Sequence, residues 1–267
     1  MEGPGGISKE DLIMKHKSLI ALLVLVILTL ACGATPEPTP SNTPVPSATV
    51  APSATPTVIP TSTPNRTATV AAISTKAAET VLTELQDLLR EENIDYQSGS
   101  LLWEQETPLL VELSGPQGMY QEFANSEVGK NFILKSDVTW NATGILVCGF
   151  MFRSEPNMRE GKQYQFLYLR LSGAPAWAIE FHEFGYYKNS PTKVQYSSAV
   201  DLTNGATNQL VLIANGGEFT VFINGVRQGK YFDNSKQMEE GSFAVLGTQE
   251  SGEGSCEYKN TYVWELK

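Results

Sequence analysis

The stretch between residues 177 and 187 concentrates side chains that could bind a sugar or move a proton. These side chains are Trp177, Glu180, His182, Tyr186 and Tyr187. Sugar rings stack on exposed aromatic side chains, and polar groups fix the orientation of their hydroxyls. Gly185 lies in an expected turn, so at least one of the two tyrosines beside it should be exposed. The stretch therefore predicts a ligand-binding surface, with a place in the core as the alternative for Trp177.

Catalysis by a nucleophile finds little support in the same residues. The chain has two histidines, and His16 lies in a basic segment before an apolar run. A catalytic triad would therefore need His182, and no Gly-x-Ser-x-Gly elbow accompanies it. A histidine two residues from Glu180 is more typical of a surface pair than of a catalytic base. No Cys/His cluster has the spacing of zinc ligands.

Arg153 and Asn224 are secondary candidates for ligand binding, although Asn224 precedes Gly225 in a typical turn sequence. We expect no cofactor, with calcium as the open alternative. Calcium could use turn residues, namely Asp137, Asp201, Asn204, Asp233 and Asn234. Such residues usually shape turns through hydrogen bonds to nearby backbone.

The composition narrows the choice of partner. The formal net charge of −10 repels phosphate backbones, so we expect no nucleic acid partner. Neutral partners such as glycans, and cationic partners, remain open. The residues after position 97 are numerous enough to form a hydrophobic core of their own.

The N-terminal residues have the pattern of an export signal. A basic segment precedes about a dozen apolar residues at positions 19–30, which is short for a spanning helix. Residues 1–31 are thus a predicted signal peptide, with Met14 as a possible start. The following Cys32 resembles the lipidated cysteine of the bacterial lipobox, although Thr29 stands where leucine is usual. An uncleaved signal anchor is the alternative, and either version predicts an exported, membrane-anchored protein at the cell surface.

Two segments lead from there to the predicted folded part. Residues 32–66 hold nine of the fifteen prolines and almost no charge, which predicts a disordered, extended spacer. Residues 67–95 lack proline and glycine, and apolar residues recur there at intervals of three and four. They predict a helix that either docks on the following domain or forms an oligomerisation stalk through residues 67–92.

The remaining cysteines fit an oxidising compartment. With Cys32 lipidated, Cys148 and Cys256 are left as an even pair. A disulfide between them would close a loop of just over one hundred residues. Two buried free thiols are the alternative.

Residues 97–267 have the pattern of an all-β domain. Apolar runs at 210–214 and 219–223 are separated by Asn215-Gly216-Gly217, and Asn224-Gly225 leads into a third run at 226–232. This predicts a three-stranded antiparallel meander. Further short strands without intervening helices predict an antiparallel β-sandwich with jelly-roll connections. They are expected at 132–140, 145–152, 164–171, 177–184, 243–247 and 258–266.

The order of these motifs resembles the concanavalin A-like lectin/glucanase superfamily, in particular its laminin-G-like and keto-disaccharide-hydrolase-like modules. The resemblance covers about residues 97–267 and rests on the Val221-Phe222-Ile223-Asn224-Gly225 hairpin, a glycine-led strand at 241–243 and a final aromatic strand at 262–264. It implies a sandwich that binds carbohydrate or, in some members, hydrolyses it.

The resemblance also supplies a test for hydrolysis. Laminarinase-like members carry a Glu-x-Asp-x-x-Glu strand, and the matching positions here are Glu180, His182 and Gly185. The catalytic acids are therefore missing, and we expect no enzyme. The sequence predicts a non-catalytic module that binds a glycan or surface polymer. The alternatives are a structural or assembly module with a protein partner, and a degenerate glycosidase-like domain.

Overall fold

The computed structural model describes residues 66–90 and 92–267, all within the compact unit Ser62–Lys267. The predicted signal peptide, Cys32 and the spacer up to residue 65 lie outside the described residues. In the described part, no helix has both the length and the apolar character needed to cross a membrane.

In the part of the chain that the structure describes, one helix precedes fourteen strands. The helix α1 spans Arg66–Leu88. The strands are β1 (Ser100–Glu104), β2 (Leu109–Ser114), β3 (Gln117–Glu122), β4 (Phe132–Ala142), β5 (Leu146–Ser154), β6 (Lys162–Leu171), β7 (Ala174–Glu183), β8 (Tyr186–Asn189), β9 (Gln195–Tyr196), β10 (Thr207–Asn215), β11 (Glu218–Ile223), β12 (Val226–Phe232), β13 (Ser242–Gln249) and β14 (Glu253–Glu265).

The strands form two antiparallel sheets of seven strands each. The back sheet has the order β1-β14-β4-β10-β11-β12, and β2 also pairs with β14. The front sheet has the order β3-β13-β5-β6-β7-β8, and β9 also pairs with β7. Strands that are distant in sequence are neighbours in both sheets, as in a jelly roll. The predicted fold class, an antiparallel β-sandwich, is confirmed.

The core lies between the sheets, because alternate residues of each strand point inward. Phe150 and Phe166 from the front sheet and Leu134 and Leu212 from the back sheet belong to it. The meander is also confirmed: β12 begins and ends at the predicted residues, and Asn224 has the positive φ of 51° that the turn requires.

A disulfide links the two sheets. Cys148 on β5 and Cys256 on β14 are bonded, with Cα atoms 5.8 Å apart and a sequence separation of 108 residues. Both cysteines are fully buried. The predicted bridge is therefore present in the structure.

Helix α1 packs on the outer face of the back sheet. Val81, Leu85 and Leu89 are buried there against apolar residues that include Ile213 and Trp264. A salt bridge of 2.7 Å from Lys135 to Glu84 adds a polar contact beside them. The helix thus docks on the sandwich, as one of the two alternatives predicted. The oligomerisation alternative relied on the same apolar stripe, which the back sheet already covers at these three positions.

Candidate functional site

The outer face of the front sheet carries three of the residues singled out from sequence, Glu180, His182 and Tyr187. Strands β7 and β8 form a hairpin whose two loop residues, Phe184 and Gly185, have φ values of 54° and 72°. Positive φ at both positions is what a type I′ turn requires, and it is uncommon for a bulky residue such as phenylalanine. The Phe184 N–H donates to the Glu160 carbonyl oxygen at 3.1 Å, which holds the tip of the hairpin against the β5–β6 loop.

A polar pair lies on this face of β7. The His182 Nε2 atom is 2.9 Å from the Glu180 carboxylate. Because the two residues are two positions apart on one strand, their side chains point to the same face of the sheet. An ionised carboxylate can only accept, so Nε2 carries the proton and Nδ1 of a neutral imidazole is left as an acceptor. The pair can therefore accept a hydrogen bond from a ligand hydroxyl.

Glutamine side chains continue the polar strip on β6. In the strand register, Gln163 lies opposite His182 and Gln165 lies opposite Glu180. Both glutamines line a cavity of about 510 Å³. Tyr120 from β3 lines the same cavity, which we call the front groove. The groove thus crosses the sheet from the β7–β8 hairpin toward β3.

Exposed tyrosines border this face along β8 and β9. Tyr187 lies opposite His182, and the two rings meet edge to face with centroids 6.1 Å apart. Tyr196 lies opposite Ala176, six residues from His182 on β7 and on the same face. At about 3.3 Å per residue, the two tyrosine positions are roughly 20 Å apart. An oligosaccharide can span that distance, whereas a single sugar cannot.

Tyr186 and Tyr187 are both more than half exposed, at 72% and 57%. They point to opposite sides of β8, because successive side chains alternate. Only Tyr187 therefore shares the outer face with His182, while Tyr186 extends from the edge of the sheet. The expectation that at least one of them is exposed is confirmed.

Glu180 and Glu122, two carboxylates of the front sheet, are too far apart to act together on a glycosidic bond. The register places Glu122 of β3 in the same row as Glu180, four strands away. With about 4.8 Å between strands, the two lie roughly 19 Å apart. Glycosidases place their two carboxyl groups about 5–5.5 Å or 6.5–9.5 Å apart.

Two of the predicted ligand-binding residues prove to be structural. Trp177 is in the core with 1% of its surface exposed, packed edge to face on Phe166 and Tyr231. It shares the inward face of β7 with Ile179, so its assignment to the binding surface is wrong. Asn224 has no free amide group for a ligand: its side chain accepts from the Gln209 N–H and donates to the Ala199 carbonyl oxygen.

Arg153 does not lie on the front face either. It is 2% exposed, and its guanidinium lies over the rings of Phe132 and Phe219 from the back sheet. It lines a separate cavity of about 220 Å³ at the end of the sandwich, which we call the end pocket.

The residues considered for calcium are engaged in local contacts. Asp201 accepts from the Thr203 N–H, which lowers the pKa of its carboxyl, and Asn204 bonds to the backbone of Ala142. Asp137 accepts from Asn260, and Asp233 accepts from Tyr164 and Ser235. Within residues 66–90 and 92–267, no three acidic, cysteine or histidine side chains are grouped so as to hold a metal ion.

Another cavity, of about 640 Å³, lies where α1 meets the back sheet. Its charged lining includes Lys135, whose ammonium is buried between Glu84 at 2.7 Å and Asp137 at 3.7 Å. The burial of Tyr262 beside these carboxylates raises the pKa of its hydroxyl. The charges here pair with one another across the helix–sheet contact, so we assign this cavity to the docking of the helix.

Sequence analysis missed Gln163, Gln165, Tyr120 and Tyr196. None is marked by a motif: Gln163, Gln165 and Tyr120 line the groove only because their strands lie side by side in the front sheet, and Tyr196 borders the face through pairing with β7. Alternation along β7 could have excluded Trp177, since Ile179 and Phe181 are its same-face neighbours and Glu180 and His182 lie on the other side.

Comparison with known proteins shows similarity in structure alone. No family model matches the chain, and no curated protein matches it significantly. Among solved structures it is similar to the carbohydrate binding module CBM66 from Bacillus subtilis, at 16% identity over 57% of this chain and 84% of that chain, with a TM-score of 0.44. It is also similar to a beta-glucanase of Bacillus licheniformis, at 9% identity over 64% of this chain and 88% of that chain, with a TM-score of 0.42. A third similar structure is sheep galectin-11, at 11% identity over 57% of this chain and 98% of that chain, with a TM-score of 0.38.

With TM-scores below 0.5, these neighbours do not decide a function. The fold class itself rests on the two sheets described above.

Proposed function

We propose that this protein is a non-catalytic carbohydrate-binding module whose ligand lies over His182 and Tyr187 and along the front groove beside them. The observation that carries the proposal is the arrangement of His182 and Tyr187, an exposed ring beside a histidine that is held by Glu180. The ring offers a surface for a sugar to stack on, and the imidazole offers an acceptor for a hydroxyl. The half-buried Gln165 extends the polar strip opposite Glu180, whereas Gln163 is buried and its side-chain oxygen accepts from the Ser154 hydroxyl.

The backbone at the hairpin tip supports the same assignment. Phe184 holds a positive φ and leaves most of its ring exposed. Both features cost stability and gain no packing, and such positions cluster where proteins bind ligands. The 19 Å separation of Glu180 from Glu122 supports binding without hydrolysis.

The proposal extends to the setting of the module. We propose that Cys32 carries a lipid after export and that the proline-rich spacer holds the sandwich away from the membrane surface. The disulfide supports an oxidising compartment, since such bonds persist outside the reducing cytosol. Metabolic labelling with a fatty acid tests the anchor, because a Cys32→Ala variant should lose the label and detach from membranes.

A glycan array probed with the full chain tests the binding function. We expect it to retain neutral oligosaccharides, and the variant His182→Ala to lose them. The matched control is Asn204→Ala, a polar change at a turn outside the front groove. Equal retention of oligosaccharides by the two variants would move the assignment away from this groove. So would a failure of the native chain to retain any oligosaccharide at any concentration.

A further inference from the structure

Arg153 occupies an unusual position for a charged residue. It follows the inward-facing Phe152 on β5, so regular alternation would point it outward. The pairing of β5 with β13 is irregular there, since Met151 pairs with Ala244 and Ser154 with Ser242. Two residues of β5 thus face one residue of β13, which is a β-bulge. Together with a φ of 47°, the bulge turns the Arg153 side chain into the space between the sheets.

The buried guanidinium is only partly satisfied. Its Nε–H and one Nη2–H both donate to the Lys130 carbonyl oxygen, at 3.2 and 2.7 Å. A guanidinium has five N–H groups, so three have no acceptor within residues 66–90 and 92–267. No carboxylate of that part of the chain lies within ion-pair distance of it. Burial lowers the pKa of Arg153, and only the more distant charges of Tyr164, Glu239 and Asp233 oppose the shift.

The end pocket lies beside this cation. Its acidic members are already engaged: Asp233 accepts from Tyr164 and Ser235, and Glu239 is 3.3 Å from Lys130. Lys236 lines the same pocket and has no ion-pair partner in the described part of the chain. Lys130 is paired with Glu239, so the pocket holds the two cations Arg153 and Lys236 against the single carboxylate of Asp233. Its lining thus carries one net positive charge.

Its size limits the occupant. Pockets for drug-sized ligands measure about 300–1,000 Å³, and this one is about 220 Å³. It has room for one sugar residue or a smaller acid. Gly216 and Gly217 form part of its wall, where side chains would narrow the opening.

We propose that the end pocket binds the carboxylate of a single acidic sugar residue, a uronic acid, through Arg153 and Lys236. A planar carboxylate matches the fork of a guanidinium and supplies the charge that the buried cation lacks. The carboxylate assignment rests on the pocket alone, and the sugar assignment rests on the proposed function.

Nuclear magnetic resonance titration of the full chain tests this, with sodium glucuronate, glucose and acetate as separate probes. We expect glucuronate to shift the Gly216 and Gly217 amide signals saturably, and glucose to bind there at least tenfold more weakly. Lys236→Glu should weaken glucuronate binding at least tenfold. Lys236 is exposed, so this variant should fold normally, and Lys267→Glu is the control with the same change of charge. Arg153→Gln should weaken binding by roughly tenfold to a hundredfold.

Other results would overturn the proposal. If Lys236→Glu and Lys267→Glu bind glucuronate equally well, the pocket is not its binding site. The same conclusion follows if the amide signals of Gly216 and Gly217 do not shift. Acetate that binds as tightly as glucuronate would overturn the sugar assignment. If glucuronate binds but neutral oligosaccharides do not, the end pocket stands and the front-groove function fails.

Discussion

The rings of His182 and Tyr187 meet edge to face across the β7–β8 hairpin, with centroids 6.1 Å apart. The histidine also contacts Glu180, two residues away along β7, at 2.9 Å, so its ring is held between a carboxylate on its own strand and a tyrosine on the neighbouring strand. A ligand that stacks on Tyr187 therefore meets an already oriented imidazole, and little side-chain freedom is lost on binding.

Removing the exposed ring should weaken glycan binding while leaving stability unchanged. We expect Tyr187→Ala to reduce affinity by about 1 kcal/mol, roughly fivefold, because a stacking surface is lost. Isothermal titration with an array-selected oligosaccharide measures it. Phe232→Ala is the matched control, since Phe232 is a similarly exposed aromatic residue at 61% on β12 of the back sheet. Equal losses in the two variants would contradict a specific site.

Removing the disulfide should lower stability substantially. For a loop of 108 residues, chain entropy predicts a loss of about 4–5 kcal/mol in the free energy of unfolding. Urea unfolding of the Cys148→Ala/Cys256→Ala double variant measures this. Reductant should destabilise the native protein and leave the double variant unaffected. An unchanged midpoint for the native protein under full reduction would argue against the bridge as a stabilising element.

Truncating the helix contact should destabilise the sandwich itself. Leu85 is fully buried against the back sheet, so Leu85→Ala should cost about 2–5 kcal/mol. Gln86→Ala, on the exposed side of the same helix, should change stability by less than about 0.5 kcal/mol. If Leu85→Ala instead leaves stability intact and halves the mass in solution, the helix acts between copies of the chain.

Stability should fall steeply at alkaline pH. Burial raises the pKa of Tyr164, Tyr168, Tyr258 and Tyr262 above the usual value of 10.0. Above pH 10 the unfolded chain loses these protons while the folded protein retains them. The contribution of these tyrosines to the free energy of unfolding is therefore constant below that pH and then falls by about 1.4 kcal/mol per pH unit for each tyrosine.

Substitution of one buried tyrosine tests whether these residues cause the loss of stability at alkaline pH. Tyr258→Phe should make the fall in the free energy of unfolding at alkaline pH less steep. Tyr186→Phe, at an exposed position, should leave that fall unchanged. Tyr258→Phe should also lower stability at neutral pH by about 1–3 kcal/mol, because the buried Gly149 N–H and Leu246 carbonyl lose their partner. An alkaline profile identical to that of the native protein would show that Tyr258 does not contribute.

The parts of the fold that sequence predicts well are set by local chemistry. Strand β12 begins where predicted because Asn224 and Gly225 tolerate the positive φ of the preceding turn. The end of β5 is harder to predict from sequence, because the strand runs two residues past the expected end, through the bulge at Arg153. Bulges depend on the partner strand, which is distant in sequence.

Tertiary contacts explain the remaining differences. Lys135 alternates along β4 with the inward-facing Leu134, so its side chain points to the outer face of the back sheet. It is nevertheless buried, because α1 covers that face. The polar strip of the groove needed the register between β6 and β7, which pairs Gln163 with His182. Register follows from the packing of both sheets, so His182 and Tyr187 could be proposed from sequence, and Gln163 and Gln165 could not.

The position of α1 has a mechanical consequence. The helix rests on the back sheet, where it touches Trp264 of β14, and the front groove opens on the opposite side of the sandwich. Tension between a ligand held on the front sheet and the chain that leads into α1 would pull the two sheets apart. Cys256 lies on the same strand as Trp264 and is bonded to Cys148 of the front sheet. The load would thus pass through a covalent link rather than through core packing alone, and the sandwich should resist separation for as long as that bond is oxidised.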